Sequence, residues 1–185
     1  MTNVESEKSV LHEFLGYQRA SVLAIVAGLD EAGLQVAALP SGWTPLGLVE
    51  HLSGAERHWF QNVLTGSLTP LPWSDDLDTP LRTTRDPALV FDFYRETCRV
   101  SDSIIEATPL DASPVGRHLD EVLASQTTSL RRIMLHVIEE TARHAGHLDA
   151  ARELIDGRTG LGPVEPGRGG SAEPVESQEA DQEAG

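Results

Sequence analysis

The sequence predicts an all-α fold: a four-helix bundle with two long crossover connections and a disordered acidic C-terminal tail. Three observations lead there. Four stretches of about twenty residues or more repeat apolar side chains at helical spacing without an internal proline. Two of them open on a capping residue followed by proline, Thr44-Pro45 and Asp86-Pro87. Aromatic residues make up only 5% of the chain, and alternating β-branched runs are scarce, so little favours a sheet.

The first helix is expected over about residues 5–29, with Val10, Leu11, Phe14, Tyr17, Val22, Ile25 and Leu29 on its apolar side. The second starts at Thr44-Pro45 and ends near Gly66, and the third runs from Asp86-Pro87 to about Ala107. The fourth opens near Ser129 and stops at Gly157, a residue suited to the left-handed C-terminal position. Helices of this length suit a bundle. Residues 66–85, rich in proline, read as a long ordered crossover. Residues 109–128 form a second irregular connection with room for a short helix. Two such connections argue against simple up-down-up-down winding. The bundle domain is assigned to residues 1–160. Residues 161–185 turn to Gly, Pro, Ser, Glu and Ala, with six acids against one arginine, and are expected to be a disordered tail.

Composition excludes several classes. A net charge of −15 argues against a nucleic-acid partner, which calls for a basic face. No stretch approaches about 20 apolar residues, so no membrane span is expected. The polar start shows no apolar targeting segment, which makes the cytoplasm the expected location. Cys98 is the only cysteine, which rules out an internal disulfide. Its apolar surroundings mark it as a small core residue rather than a nucleophile.

The fourth helix carries the chemistry. Its apolar sector holds Ile133, Val137, Leu148, Ala151, Leu154 and Ile155, and the same sector contains His136, Glu140, His144 and His147. Arg131, Glu139, Asp149, Glu153 and Asp156 lie opposite. On the second helix His51 shares its sector with Leu48, Leu52, Ala55 and Trp59, while Glu50 and Arg57 point elsewhere. An acid and histidines placed where a core should be need partners, and a divalent metal would satisfy them together. His51, Glu140 and His144 make a three-ligand N/N/O set of the catalytic zinc kind, with Fe(II) or Ni(II) as alternatives. His147, one turn beyond His144, suits a fourth ligand, an orienting residue or a general base. His58 and His136 fall a turn away, and His12 and His118 read as solvated. Trp43, Trp59 and Trp73 are candidates either for pocket walls or for packing.

Segments 46–60 (LGLVEHLSGAERHWF) and 139–149 (EETARHAGHLD) resemble the DinB superfamily, and most closely its actinobacterial branch of DinB-like or mycothiol-dependent domains. The resemblance spans roughly residues 5–157. It implies a DinB-type four-helix bundle that binds a divalent metal through one residue of the second helix and two, four apart, on the last. Many such proteins use three histidines. Here Glu140 takes the earlier of the last two positions, giving His51, Glu140 and His144. That departure is similar to the mycothiol-dependent maleylpyruvate isomerases, relatives with a His/Glu/His zinc site. The implied activity is S-transfer or isomerisation of a small electrophile by a low-molecular-weight thiol such as mycothiol. The metal, Zn2+ first and Ni2+ or Fe2+ next, would hold the sulfur as thiolate, and His147 would relay the proton. The alternative is a stress-associated metal-binding module without turnover. Relatives are often homodimers.

Overall fold

The computed structural model describes residues 6–68 and 81–158, and all regular structure among them is helical. Helix α1 (Glu7–Val26) is followed by the short α2 (Glu31–Leu34), then α3 (Pro45–Glu56), which runs without a break into a π-helical segment, Arg57–Leu64. Then come α4 (Pro87–Ala107), a short α5 (Glu121–Gln126) and the longest helix, α6 (Leu130–Asp156). Four long rods therefore make the bundle: α1, α3 with its π continuation, α4 and α6. α1 packs chiefly on α6 and α3 chiefly on α4, while α3 also meets α6. No described helix is long and apolar enough to cross a membrane. The proposed tail, most of the first crossover and Trp73 lie outside the described residues.

The ends follow local chemistry. Ser6, Thr44, Asp86 and Ser129 each accept a backbone N–H from the first turn of the helix they open. Gly157 ends α6 at φ 75°. Two carbonyl ends are closed by distant side chains. Lys8 Nζ donates to the carbonyls of Glu106 and Thr108 at 2.8 and 2.9 Å. The buried Arg152 donates to those of Ile25 and Ala27 at 2.6 and 2.8 Å.

Two apolar clusters fill the bundle. One joins Val22, Ile25, Val26, Leu46, Val49, Leu52, Val90, Tyr94 and Leu148. The other joins Leu15, Trp59, Phe60, Val63, Ile105, Leu130, Ile133, Met134 and Val137. Each fully buried aliphatic side chain in them contributes roughly 1.5–3 kcal/mol. Between them along the helices lies a buried polar belt: Arg19 on α1, Ser53 and Glu56 on α3, Thr97 and Ser101 on α4, Thr141 and His144 on α6.

Several faces differ from the sequence expectation. Phe14 and Tyr17 are about half exposed, whereas Arg19 is buried, because α1 turns the Leu15–Arg19–Val22–Val26 line inward. The inward guanidinium is neutralised: Nε and Nη2 donate to the two oxygens of Glu56 at 2.6 and 2.7 Å, and Nη1 donates to Asp102 at 2.6 Å. Burial acts to discharge Arg19, but the Glu56 carboxylate outweighs it and holds the guanidinium more firmly charged than usual. Arg57, expected to face away, is buried where the helix widens into its π segment and the register shifts. Leu154 is exposed, because the last turn of α6 turns Ala151 and Arg152 inward instead. His12, expected to be solvated, is half-buried and lies 2.7 Å from Asp102.

A bidentate pair this well enclosed is costly to break on one side. Arg19→Ala or Glu56→Ala alone is expected to destabilise the fold by about 3–5 kcal/mol in urea titrations. The apolar double variant Arg19→Met/Glu56→Leu is expected to lose less than either, since the only charge it leaves behind, Asp102, is partly exposed and still faces His12.

Candidate metal centre

Glu140 and His144 sit one turn apart on α6, on the side that meets α3, and α3 presents His51 across the gap. Three ligand atoms, one from each residue, lie within 4.8 Å of one another, and no other such group of acids, histidines and cysteines occurs among the described residues. His51 Nε2 stands 3.3 Å from Glu140 Oε1, and the His51 and His144 rings meet edge to face at 4.9 Å. Donors sharing a tetrahedral ion at about 2.0–2.1 Å stand roughly 3.3 Å apart, so this spacing suits coordination.

Electrostatics favour the same use. Burial would raise the Glu140 carboxyl, but the His136 and His51 imidazoles against its two oxygens outweigh it and hold the acid ionised, well below the usual carboxylate range. Burial, aided by the neighbouring His51, lowers His144 to about 4 against the opposing pull of Glu140. At neutral pH His144 is therefore a neutral imidazole, the form that ligates. Its Nδ1 is enclosed and makes no hydrogen bond. Two imidazoles, one carboxylate and an unsatisfied buried nitrogen fit a divalent ion.

His147 does not join the group. Its ring is 6.4 Å from that of His144, and Trp43 lies against both, at 4.9 Å from His147 and 5.6 Å from His144. Trp43 is fixed by its position just before the α3 cap, where Thr44 N donates to Leu81 O at 3.0 Å. Gly47 allows that approach, since a Cβ there would stand 2.1 Å from the same carbonyl. On the far side, His136 Nε2 lies 3.5 Å from Glu140 Oε2. His136 also touches Trp59 edge-on at 4.5 Å, and Trp59 in turn stacks on His118 at 5.0 Å. His118, expected to be solvated, owes this place to its loop. Val115 and Gly116 donate to the carbonyls of Leu64 and Val63, which the end of the π segment leaves open. A cleft of about 190 Å³ between α5 and α6 opens on His136 and Trp59, with Leu123, Gln126, Arg132 and Leu135 among its walls.

The i, i+4 spacing of His136 and Glu140 was visible in the sequence, but nothing local indicated that the two oxygens of Glu140 would be divided between His51 and His136. The Trp43 and His118 contacts depend on loops and had no sequence signal.

Fold and site thus describe a helical-bundle protein with a three-residue candidate metal centre at the interface of two helices. The mycothiol-S-transferase family model matches residues 10–157, and the chain belongs to that family. The fold agrees with a DinB-like bundle. The crystal structure of a conserved protein from Enterococcus faecalis is similar in fold, with a TM-score of 0.59 at 13% identity over 84% of this chain and 100% of that one. No curated protein matches.

Cys98, pushed up to about 12 mainly by burial and then by the Glu56 carboxylate, is expected to resist alkylation at pH 8 in the native protein and to react at once in denaturant. The histidine shift has a pH consequence in chelated protein. Between the ordinary 6.5 and about 4, the unfolded chain takes up a proton at His144 that the folded chain refuses. Stability is therefore expected to fall as pH drops through that window, with Glu140 adding a further loss below 4.5. In His144→Ala the slope between 6.5 and 4 should flatten, as read from denaturation midpoints.

Proposed function

We propose that this protein is a divalent-metal-dependent S-transferase that joins a low-molecular-weight thiol of the mycothiol kind to a small electrophile, with His51, Glu140 and His144 as the metal ligands. The observation that carries this reading is the convergence of those three donors at a half-open helix interface in a chain of the mycothiol-S-transferase family. Zinc is the first choice for an N/N/O set, with Ni2+ and Fe2+ as alternatives. A divalent ion held there would lower the pKa of a thiol at its open position, so that the sulfur is available as thiolate near neutral pH.

The chain's own residues supply the rest. Glu140 brings one negative charge to the centre and His51 and His144 bring none, which leaves a positive site for an anionic sulfur. His147, half-buried beside Trp43, is the base that takes the thiol proton, and Trp43 holds its ring near His144. The cleft over His136 and Trp59 provides a partly apolar berth for the electrophile. Attack forms a carbon–sulfur bond, and the electron pair departs with the leaving group or rests on the acceptor, which is then protonated. Cys98 takes no part, in keeping with a thiol held almost entirely protonated.

The test has two stages. Purified protein is expected to hold about one equivalent of metal by elemental analysis, while His51→Ala, Glu140→Gln and His144→Ala lose it. Mycothiol with a chromogenic electrophile should then turn over in the metal-loaded wild type. His147→Ala should keep its metal and lose roughly 100-fold or more in kcat. Metal without turnover across a panel of thiols would favour a binding module, and wild type without metal would end the proposal.

A further inference from the structure

We infer that His136 is the residue that positions Glu140 for metal binding, by holding the carboxylate oxygen that the ion does not use. This rests on the metal reading above and adds a residue to it. Glu140 divides its two oxygens: Oε1 faces His51 at 3.3 Å, and Oε2 faces His136 at 3.5 Å. Oε2 is closed to solvent and makes no hydrogen bond, which leaves the His136 nitrogen at 3.5 Å as the ion-pair approach that faces it. A carboxylate that offers one oxygen to an ion turns about its last torsion unless the other oxygen is held, and holding it sharpens both geometry and affinity. His136 stands on the same helix face one turn before Glu140, so its reach is set by the helix itself.

His136 is in turn fixed from outside α6. The Trp59 ring meets it edge-on at 4.5 Å, and His118 stacks on Trp59 at an interplanar angle of 16°. His118 arrives on the loop tied to the π segment by Gly116, whose N–H donates to Val63 O at 2.8 Å. Any side chain at that position would drive a Cβ to 2.2 Å from Asn62 O. His136 is no fourth ligand in this arrangement: it addresses the oxygen turned away from His51, and its nitrogens lie outside the three-donor group. The cleft beside it also brings any bound molecule against the residue that steadies Glu140.

The experiment compares wild type, His136→Leu and His136→Gln as full-length protein, stripped of metal and titrated with Co2+ and Zn2+, with the cobalt absorption spectrum as a second readout. His136→Leu should bind 10–100-fold more weakly, about the loss that follows removal of a group supporting a ligand, and should show an altered cobalt spectrum. His136→Gln keeps an N–H near the same place and should recover most of the affinity together with the wild-type spectrum. A leucine variant with wild-type affinity and spectrum overturns the inference and leaves the metal reading standing. So does a glutamine variant as impaired as leucine while its circular dichroism and melting match wild type. Wild type that binds neither ion overturns both.

Discussion

A layer of polar side chains across the middle of an otherwise apolar bundle is the constraint on which the rest of the molecule depends. Apolar clusters close the bundle at both ends, and between them each long helix contributes buried groups that can hydrogen-bond or carry charge. In a low-dielectric interior such groups are costly singly and tolerable only when matched. Two solutions coexist in the belt. Arg19, Glu56 and Asp102 form a closed ion pair network among α1, α3 and α4. Ser53 and Thr97 return their hydroxyls to carbonyls of their own helices. The third group, His51, Glu140 and His144, is matched only in part. The buried His144 Nδ1 and Glu140 Oε2 make no hydrogen bond, and that deficit among three potential ligands makes this group, rather than the Arg19 network, the candidate for an ion.

The two ends of the bundle serve the belt mechanically. Close-packed apolar side chains resist the small helix shifts that would spread three donors on two helices beyond a common ion. The same demand explains features that look unrelated to chemistry. Gly47 lets the chain near Leu81 press against the start of α3, which fixes Trp43 over His144 and His147. The π segment leaves carbonyls that hold the loop carrying His118, and His118 supports Trp59 and His136. Loops on both sides of the centre therefore bear on it through aromatic rings. This also separates the two parts of the polar belt: one half ties rods together, while in the other His51 and Glu140 are only partly buried.

How much of this could be read beforehand differs from residue to residue. The start signals at Thr44-Pro45, Asp86-Pro87 and Ser129 and the stop at Gly157 placed the ends of three long helices to within a couple of residues, because capping is a contact between near neighbours. The same holds for Glu140 and His144, whose common face follows from a spacing of four. The inward turn of Arg19 was not legible. A charged residue reads as solvent-facing until its partner is known, and Glu56 lies 37 positions away. Phe14 and Tyr17 were misplaced for the complementary reason, since only a neighbouring rod decides which of several apolar lines on α1 is covered.

By itself, then, the sequence determined the helices, their limits and the three residues that interrupt their apolar faces, since all of these follow from contacts within a few turns. It also carried enough of two segments to be read as DinB-like. Only the tertiary structure decided that His51 reaches Glu140, that Trp59 and His118 close on His136, and that His147 stands apart behind Trp43. Those relations depend on the register of one helix against another and on where loops dock. Rod packing and loop closure fix them at the scale of an ångström, and no periodicity along one chain segment records that distance.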